Sequence, residues 1–525
     1  MKTMNAFRFS VFTSSKMPYF LLVATFSVLL PKSTVGFSSH SRCSLSAILY
    51  SNPQKWERTT SSISSLYDVT ASNSHEFKFN EKNENNTASS CPYSMTFPRY
   101  RIPLSRGEQN LNSNNNIFTG LFSGMISLAQ KSAFEQKYSS SKMNIYDESL
   151  ALWYDPKSEI PPNDAQNDNE KLQSGKIGVY TSAFVWRALA NLLQEFIRGK
   201  YEKYENVKKA VIIGLPNFSV FGLKQFSEII NWMSEEEQYY LPTSAESKIK
   251  IEASVDEDSP VPTILLLATK VGRRDSLEHL NSGGHNEGKK LNKSIVRDRT
   301  KAWVDRVLVK MKICPFTKST SKSGQGLGDV GVPVGAIAYH YSPALQSEFP
   351  MLMADTWEAI SNMIKAGPSG KNGVSSILLA APDFDNHFSL WAGPLFAMLE
   401  ASVCAARAEP IIGIVCFHPE YKTPDGNSWP GFGHMHSLPR LGKWIKENDE
   451  DFFNNVEDRD ISAGGAFQRR TPHATINVLR AEQLEAAEGR RSSASLYSIN
   501  IRRLYEEGFG KLEQDLKKEQ NLMNF

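Results

Sequence analysis

Cysteine is scarce in this chain: five among 525 residues, an odd number with no paired spacing. Cys43 and Cys91 fall in a polar amino-terminal stretch, leaving Cys314, Cys404 and Cys416 for the body of the protein. That excludes a disulfide framework and suits a reducing compartment. An excess of one charge is also lacking, since 59 Lys and Arg face 56 Asp and Glu for a net +3. The two signs are interspersed, so no nucleic-acid partner or polyanionic surface is expected. Long apolar runs are missing too. The run at residues 19–30 is too short to span a bilayer comfortably, and no membrane is expected for the mature protein.

That run has signal-peptide proportions. Arg8 and Lys16 precede it and small residues lead on to Gly36-Phe37, so residues 1–36 read as a signal peptide. A signal followed by the Phe of Ser33-Thr34-Val35-Gly36-Phe37-Ser38 resembles the bipartite presequence of algae with complex plastids. The resemblance implies delivery to the plastid stroma through the endoplasmic reticulum; a secretory signal or an amino-terminal anchor is the alternative. Residues 37–146 are rich in Ser, Asn and Thr, as in Ser113-Asn114-Asn115-Asn116, and have no sustained periodicity. Such composition buries too little apolar surface to offset ordering entropy, and it reads as transit peptide and disordered leader. An apolar island at 117–128 is expected to form a short helix. Asn85, Asn217 and Asn292 begin glycosylation sequons, which a stromal protein would leave bare.

From residue 147 the pattern alternates strand and helix. Residues 177–181 read as a strand, 184–197 as an amphipathic helix with Trp186, Leu189, Leu193 and Phe196 on one face, and 210–215 as a buried strand. A helix at 221–233 and a strand at 263–268 complete a first βαβαβ unit over 147–270. Residues 271–296 are a charged, Gly-rich linker. The order then repeats: strand 335–339, helix 349–364, strand 377–381, helix 388–404, strand 411–417. The middle junctions match, Ile212-Ile213-Gly214-Leu215-Pro216-Asn217-Phe218 against Leu378-Leu379-Ala380-Ala381-Pro382-Asp383-Phe384, and Pro262-Thr263-Ile264-Leu265 aligns with Pro410-Ile411-Ile412-Gly413. The expected class is α/β: βαβαβ units, either duplicated or alike by chance, with a largely parallel or mixed sheet flanked by helices. A polar insertion at 423–465 and a final helix at 472–490 follow. Residues 297–510 form one α/β domain, and 511–525 are a tail.

Three segments carry candidate chemistry. Cys416-Phe417-His418-Pro419-Glu420-Tyr421 ends a buried strand, which is where open α/β folds place their sites. Cys416 and His418 share a strand face, and Pro419 stops the pairing. His418 is then either an acid/base or a core histidine bonded to a carbonyl. Cys314 follows the amphipathic helix 299–312 and is either a nucleophile or a packed thiol. In Arg470-Thr471-Pro472-His473, Thr471 suits an N-cap and Pro472 a first helical residue. A helix start would bind an anion, with His473, Asn477 and Arg480 on one face and Arg470 and Arg480 gripping a carboxylate or phosphate; ordinary surface salt bridges are the alternative. Gly324-Gln325-Gly326-Leu327-Gly328 lacks the Lys-Ser/Thr of a phosphate loop, and His434-Met435-His436 reads as loop, so no metal is assigned.

Taken together, Trp303, Cys314-Pro315-Phe316, Pro382-Asp383-Phe384, Phe417-His418-Pro419-Glu420-Tyr421, Arg470-Thr471-Pro472 and Leu479-Arg480 resemble the bacterial and plastid family called domain of unknown function 1415. The resemblance covers about residues 296–510. That family has no established reaction, and its polar pattern points to Cys314, His418, Tyr421, Arg470 and Arg480. This chain departs from it: Arg469-Arg470-Thr471-Pro472-His473-Ala474 stands where the family reads Asn-Arg-Ser-Pro-Tyr-Pro, Asn477 replaces a histidine, and Ala481 replaces a glutamate. Two functions fit. One is a plastid enzyme of hydrolase type acting on a small anionic metabolite, with His418 as acid/base, Cys314 or Tyr421 assisting, and Arg470, Thr471, His473 and Arg480 binding substrate. The other is a non-catalytic binding or assembly protein built on a pseudo-symmetric sheet. No cofactor is indicated, and nothing sets the oligomeric state.

Overall fold

A computed structural model of the chain describes residues 116–139, 146–161, 169–197, 207–235, 242–244, 247–271, 291–346, 348–425 and 436–523. All lie within the unit Tyr50–Phe525. The signal peptide, the leader up to residue 115, most of the linker (272–290) and the His434-Met435 pair lie outside the described residues.

The fold is α/β with two mixed sheets. The first half runs α1 (Asn116–Lys137), β1 (Glu148–Trp153), α2 (Glu170–Ile197), β2 (Lys208–Gly214), α3 (Val220–Glu235), β3 (Pro242–Ser244), β4 (Ser247–Val255) and β5 (Thr263–Val271). Its strand order is β1-β2-β5-β4-β3; β1 and β2 are parallel and the other pairs antiparallel. The second half begins with α4 (Lys293–Trp303), which continues as a π-helical segment, Val304–Lys310. Then come β6 (Lys322–Ser323), β7 (Gly335–Tyr341), α5 (Phe349–Ala366), β8 (Val374–Ala380), α6 (Phe388–Ala405) and β9 (Ile412–Phe417). Three helices, α7 (Leu438–Asn448), α8 (Glu450–Asn455) and α9 (Asp458–Phe467), precede β10 (Thr475–Arg480). The chain closes with α10 (Ala481–Arg490), α11 (Ser493–Glu507) and α12 (Phe509–Gln520). The second sheet is ordered β6-β7-β8-β10-β9, with only β7 and β8 hydrogen-bonded as a parallel pair.

The two sheets are laid out alike. Strands β1-β2-β5-β4 and β7-β8-β10-β9 share order and direction, and their connecting hydrogen bonds coincide. Tyr154 N donates to Gly214 O as Ser342 N does to Ala380 O; Leu215 N donates to Pro262 O as Ala381 N does to Ala474 O. The equivalent of β5 is therefore β10 rather than β9, which corrects the alignment of 262–265 with 410–413.

The central core lies between the sheets and joins both halves. Val211, Ile213, Ile264 and Leu266 contribute from the first sheet, and Ile377, Leu379, Ile414 and Ile476 from the second. Helices α2, α3, α5 and α6 fill the space, α2 against α5 and α3 against α6. Arg187 on α2 pairs with Asp355 and Glu358 on α5, closing the seam. The alternate residues of each sheet face outward, as the period of two requires. Leu378, Val415 and Phe417 pack on Trp303, Val307, Leu504 and Leu512, and Ile212 packs on Phe134.

Five expectations change. Residues 177–181 are not a strand but part of α2, because Gly178 lets that helix press against the end of α6. A Cβ there would come within 1.7 Å of Ala406 O. The helix expected at 472–490 is a turn, then strand β10, then α10. Ile476 and Val478 alternate with more exposed residues, and β-branched side chains favour the strand. The insertion at 423–465 carries helices, with Leu441, Ile445 and Ile461 in a small core, and the tail after 511 belongs to α12, which buries Leu512 and Leu516. Finally, the helix in the leader is longer than the island at 117–128 and reaches the first sheet. Phe134 is 1% exposed, edge-on to Trp153, and Lys137 and Tyr138 both bind Asp256. Phe134→Ala should therefore lower stability by about 3–5 kcal/mol; an unchanged urea midpoint would return α1 to the leader.

Candidate functional site

Strands β7, β8 and β9 run in one direction and β10 runs against them, so three carboxyl ends and one amino end share an edge. The residues there are Tyr341, Ala380, Phe417 and Thr475. Polar loops gather at this edge: 381–387 after β8, 418–425 after β9 and 468–474 before β10. Crevices at carboxyl ends are where open α/β sheets bind ligands, since the loops there are free to vary.

His418 is fully buried. Its Nδ1 accepts from Glu420 N at 3.0 Å, so the proton sits on Nε2, which donates to Phe384 O at 2.9 Å. The ring packs against Phe388 and Trp391. With both nitrogens engaged by backbone, His418 ties the β9 loop to the β8 loop. Burial holds it neutral, its pKa lowered from 6.5 to about 4, while the Phe384 carbonyl opposes that shift.

Three residues on, Tyr421 packs edge-on to Phe388, with the Arg469 guanidinium 5.7 Å from its ring centre. Its hydroxyl is buried without a hydrogen-bond partner, and burial pushes its pKa up to about 12.

The arginines expected to grip an anion are committed elsewhere. Arg480 donates from Nε to Val374 O at 2.9 Å and from Nη2 to Met363 O at 2.6 Å, binding β10 to α5 and β8. It ends β10, five residues from Thr475, so about 17 Å along the strand separates it from the His418 edge. Arg470 donates to Tyr421 O at 3.1 Å and to Glu513 at 3.0 Å, and stacks on Phe467. Thr471 caps no helix. Its hydroxyl donates to His473 O at 2.6 Å inside the turn. The shared helix face for His473, Asn477 and Arg480 and the anion site at its start therefore do not exist, since the backbone there is extended. Cys314 is half-buried and its Sγ accepts from the Thr317 hydroxyl at 3.3 Å. Its neighbour Ile313 packs on the outer face of the sheet with Trp303, whereas Cys416 belongs to the central core. No hydrogen bond joins Cys314 to His418 or Tyr421.

The structure brings together a pair that the sequence reading did not join. His473 Nδ1 lies 2.8 Å from Asp385 Oδ2, and Asp385 Oδ1 accepts from Ala474 N at 2.7 Å. The carboxylate thus fixes the ring by accepting the Nδ1–H, which leaves Nε2 with its lone pair. That nitrogen is buried with no hydrogen-bond partner. Burial raises the Asp385 pKa, and His473, the Ala474 amide and Arg299 oppose the rise. The only available signal was Asp385 itself, immediately after Pro382-Asp383-Phe384.

The first half supplies an internal comparison. Asp385 corresponds to Ser219, from the matching junctions, and His473 to Val261, from the matching Pro262 and Ala474 hydrogen bonds. The same loops fold there without the pair. A cavity of about 350 Å³ at that edge is lined by Ser174, Asn217, Ser219 and Arg407 among others, with no acid/base side chain.

Both π-helical segments among the described residues border this region. Val304–Lys310 leads into the Cys314 loop, and Trp391–Leu395, with Gly393 off helical geometry before Pro394, walls His418. Such segments are uncommon and cluster at functional sites. Among the described residues no group of three or more His, Cys, Asp or Glu is arranged to hold a metal.

The His418 environment has a pH consequence. Its folded pKa lies below its unfolded value, so the unfolded chain takes up a proton from pH 6.5 downward that the folded chain refuses until near pH 4. Stability should fall across that window by about 3 kcal/mol. Urea midpoints measured from pH 7 to pH 4 should show this loss, and the His418→Gln variant should show a correspondingly flatter profile.

No curated protein and no solved structure matches the chain. A family model does match, over residues 295–429, and that span holds most of α4, Cys314, Asp385, His418 and Tyr421 but ends before His473. Over those residues the chain matches the family described as protein of unknown function (DUF1415).

Proposed function

We propose that this protein is an acid/base enzyme of hydrolase type whose site is the carboxyl edge of the second sheet. The observation that supports this is the Asp385–His473 pair with its unpartnered Nε2. A buried polar atom left unmade costs about 1–3 kcal/mol. At this edge that cost falls on an acid/base nitrogen oriented by a carboxylate, and the first half shows that these loops fold with Ser219 and Val261 instead. A carboxylate on Nδ1 sets the tautomer and stabilises the imidazolium that forms when Nε2 takes a proton. In a hydrolytic step, water attacks an acyl or phosphoryl centre, its proton moves to Nε2, and that proton then passes to the leaving group as its bond breaks. The acid/base role thus moves from His418 to His473, and His418 becomes a positioning residue. The presequence features support placing this activity in the plastid stroma.

Testing begins with a turnover screen of the full-length protein against esters, amides and phosphate esters. His473→Gln should lower kcat by about 10²–10⁴-fold. Asp385→Asn should lower it with little change in KM, and both variants should keep the wild-type near-ultraviolet circular dichroism. Turnover by His473→Gln at the wild-type rate would sink this assignment.

A second reading, a binding or assembly protein, draws on the shared plan of the two sheets and their common core. It gives the Asp385–His473 pair no task, which is why it ranks second.

A further inference from the structure

Arg299 has surroundings unlike those of other buried arginines near this edge. It lies on α4, one turn before Trp303, whose ring meets Phe417 at the end of β9 with centroids 5.4 Å apart. Its side chain is 8% exposed. The sole hydrogen bond described for its guanidinium runs from Nε to Leu522 O at 3.0 Å, and it pairs with no carboxylate among the described residues. Two turns further along the same helical stretch, Arg306 shows the contrast, holding Glu519 through two bonds of 2.7 and 2.8 Å. Burial lowers the Arg299 pKa, and the charge opposing that is Asp385, which lies within electrostatic reach but is already bonded to His473 and the Ala474 amide. Unlike Arg480, which spends its donors on two carbonyls, Arg299 gives one bond to a carbonyl and keeps its Nη donors for an anion. Two features of one edge therefore lack their counterparts: the forked donors of Arg299 and the lone pair of His473.

We infer that Arg299 binds the oxyanion group of the substrate, a carboxylate or phosphate, and so presents the reacting centre to His473. The planar fork matches either group bidentately. This inference rests on the Asp385–His473 edge being the site, and it names the substrate class as small molecules carrying such a group. It also replaces Arg470 and Arg480, whose donors are engaged, with a residue the sequence reading passed over.

The test uses the full-length protein, with inorganic phosphate and acetate as probes at constant ionic strength and chloride as the reference. Thermal shift and titration calorimetry should show saturable stabilisation of the wild type by at least one probe. The dissociation constant should rise about tenfold or more in Arg299→Gln, as expected for loss of charge-assisted hydrogen bonds, and recover in part in Arg299→Lys. His473→Gln should still bind the probe, which separates the two assignments: lost turnover with retained binding there supports both. Binding by Arg299→Gln at wild-type strength, or binding of neither probe by the wild type, overturns the inference. A chain ending at Asn521, which lacks the Leu522 carbonyl, checks the structural role. If that truncation alone abolishes probe binding, Arg299 only anchors the tail and the inference falls.

Discussion

The second sheet depends on β10 lying between β8 and β9. This strand arrives late in the chain, after α7, α8 and α9, yet it is hydrogen-bonded along both sides. Without it β8 and β9 would be two exposed edges, and the three polar loops at their ends would have nothing to gather them. Register decides the rest, because a one-residue slip would turn Ile476 and Val478 out of the core. Arg480 secures one end of this strand by holding two carbonyls, and the Thr471–His473 turn secures the other. The Asp385–His473 contact is a consequence of that register, and so is the distance of Arg480 from it.

The molecule carries its own control. Two sheets of one plan enclose one core, with the same loop hydrogen bonds at equivalent places, yet among the described residues only the second pairs an acid with a histidine at its carboxyl edge. In the first, Ser219 and Val261 occupy the positions of Asp385 and His473, and α1 covers the outer face that α4, α11 and α12 cover in the second. Differences between equivalent loops on one framework report on what each half does, because the framework's demands are common to both.

Burial also sorts the polar residues of the edge. His418 and Thr471 are fully satisfied by backbone, and such groups hold loops in place. Tyr421 and His473 keep a hydrogen-bonding atom unmatched in a low-dielectric setting, where an unmatched group costs most, and Arg299 has no carboxylate partner among the described residues. Function is sought among the second kind.

Much of the architecture was legible in the residues. Apolar periodicity marked α3, α5 and α6 and the buried strands β2, β5, β7, β8 and β9, since those segments repeat every 3.6 or 2 residues whatever surrounds them. The junction likeness around Pro216 and Pro382 and the placing of a site after β9 came from local signals as well. Residues 177–181 and 472–480 were misread because both conform to tertiary contacts: a helix with β-branched residues kept by the Gly178–Ala406 approach, and a strand kept by partners on both sides. The chemistry was divided in the same way. Sequence alone determined which residue types were available, but Asp385, His473 and Arg299 stand far apart along the chain. Only the antiparallel insertion of β10 and the seating of α4 over β9 brought them to one edge, because long-range pairing follows from the whole fold and leaves no mark in local spacing.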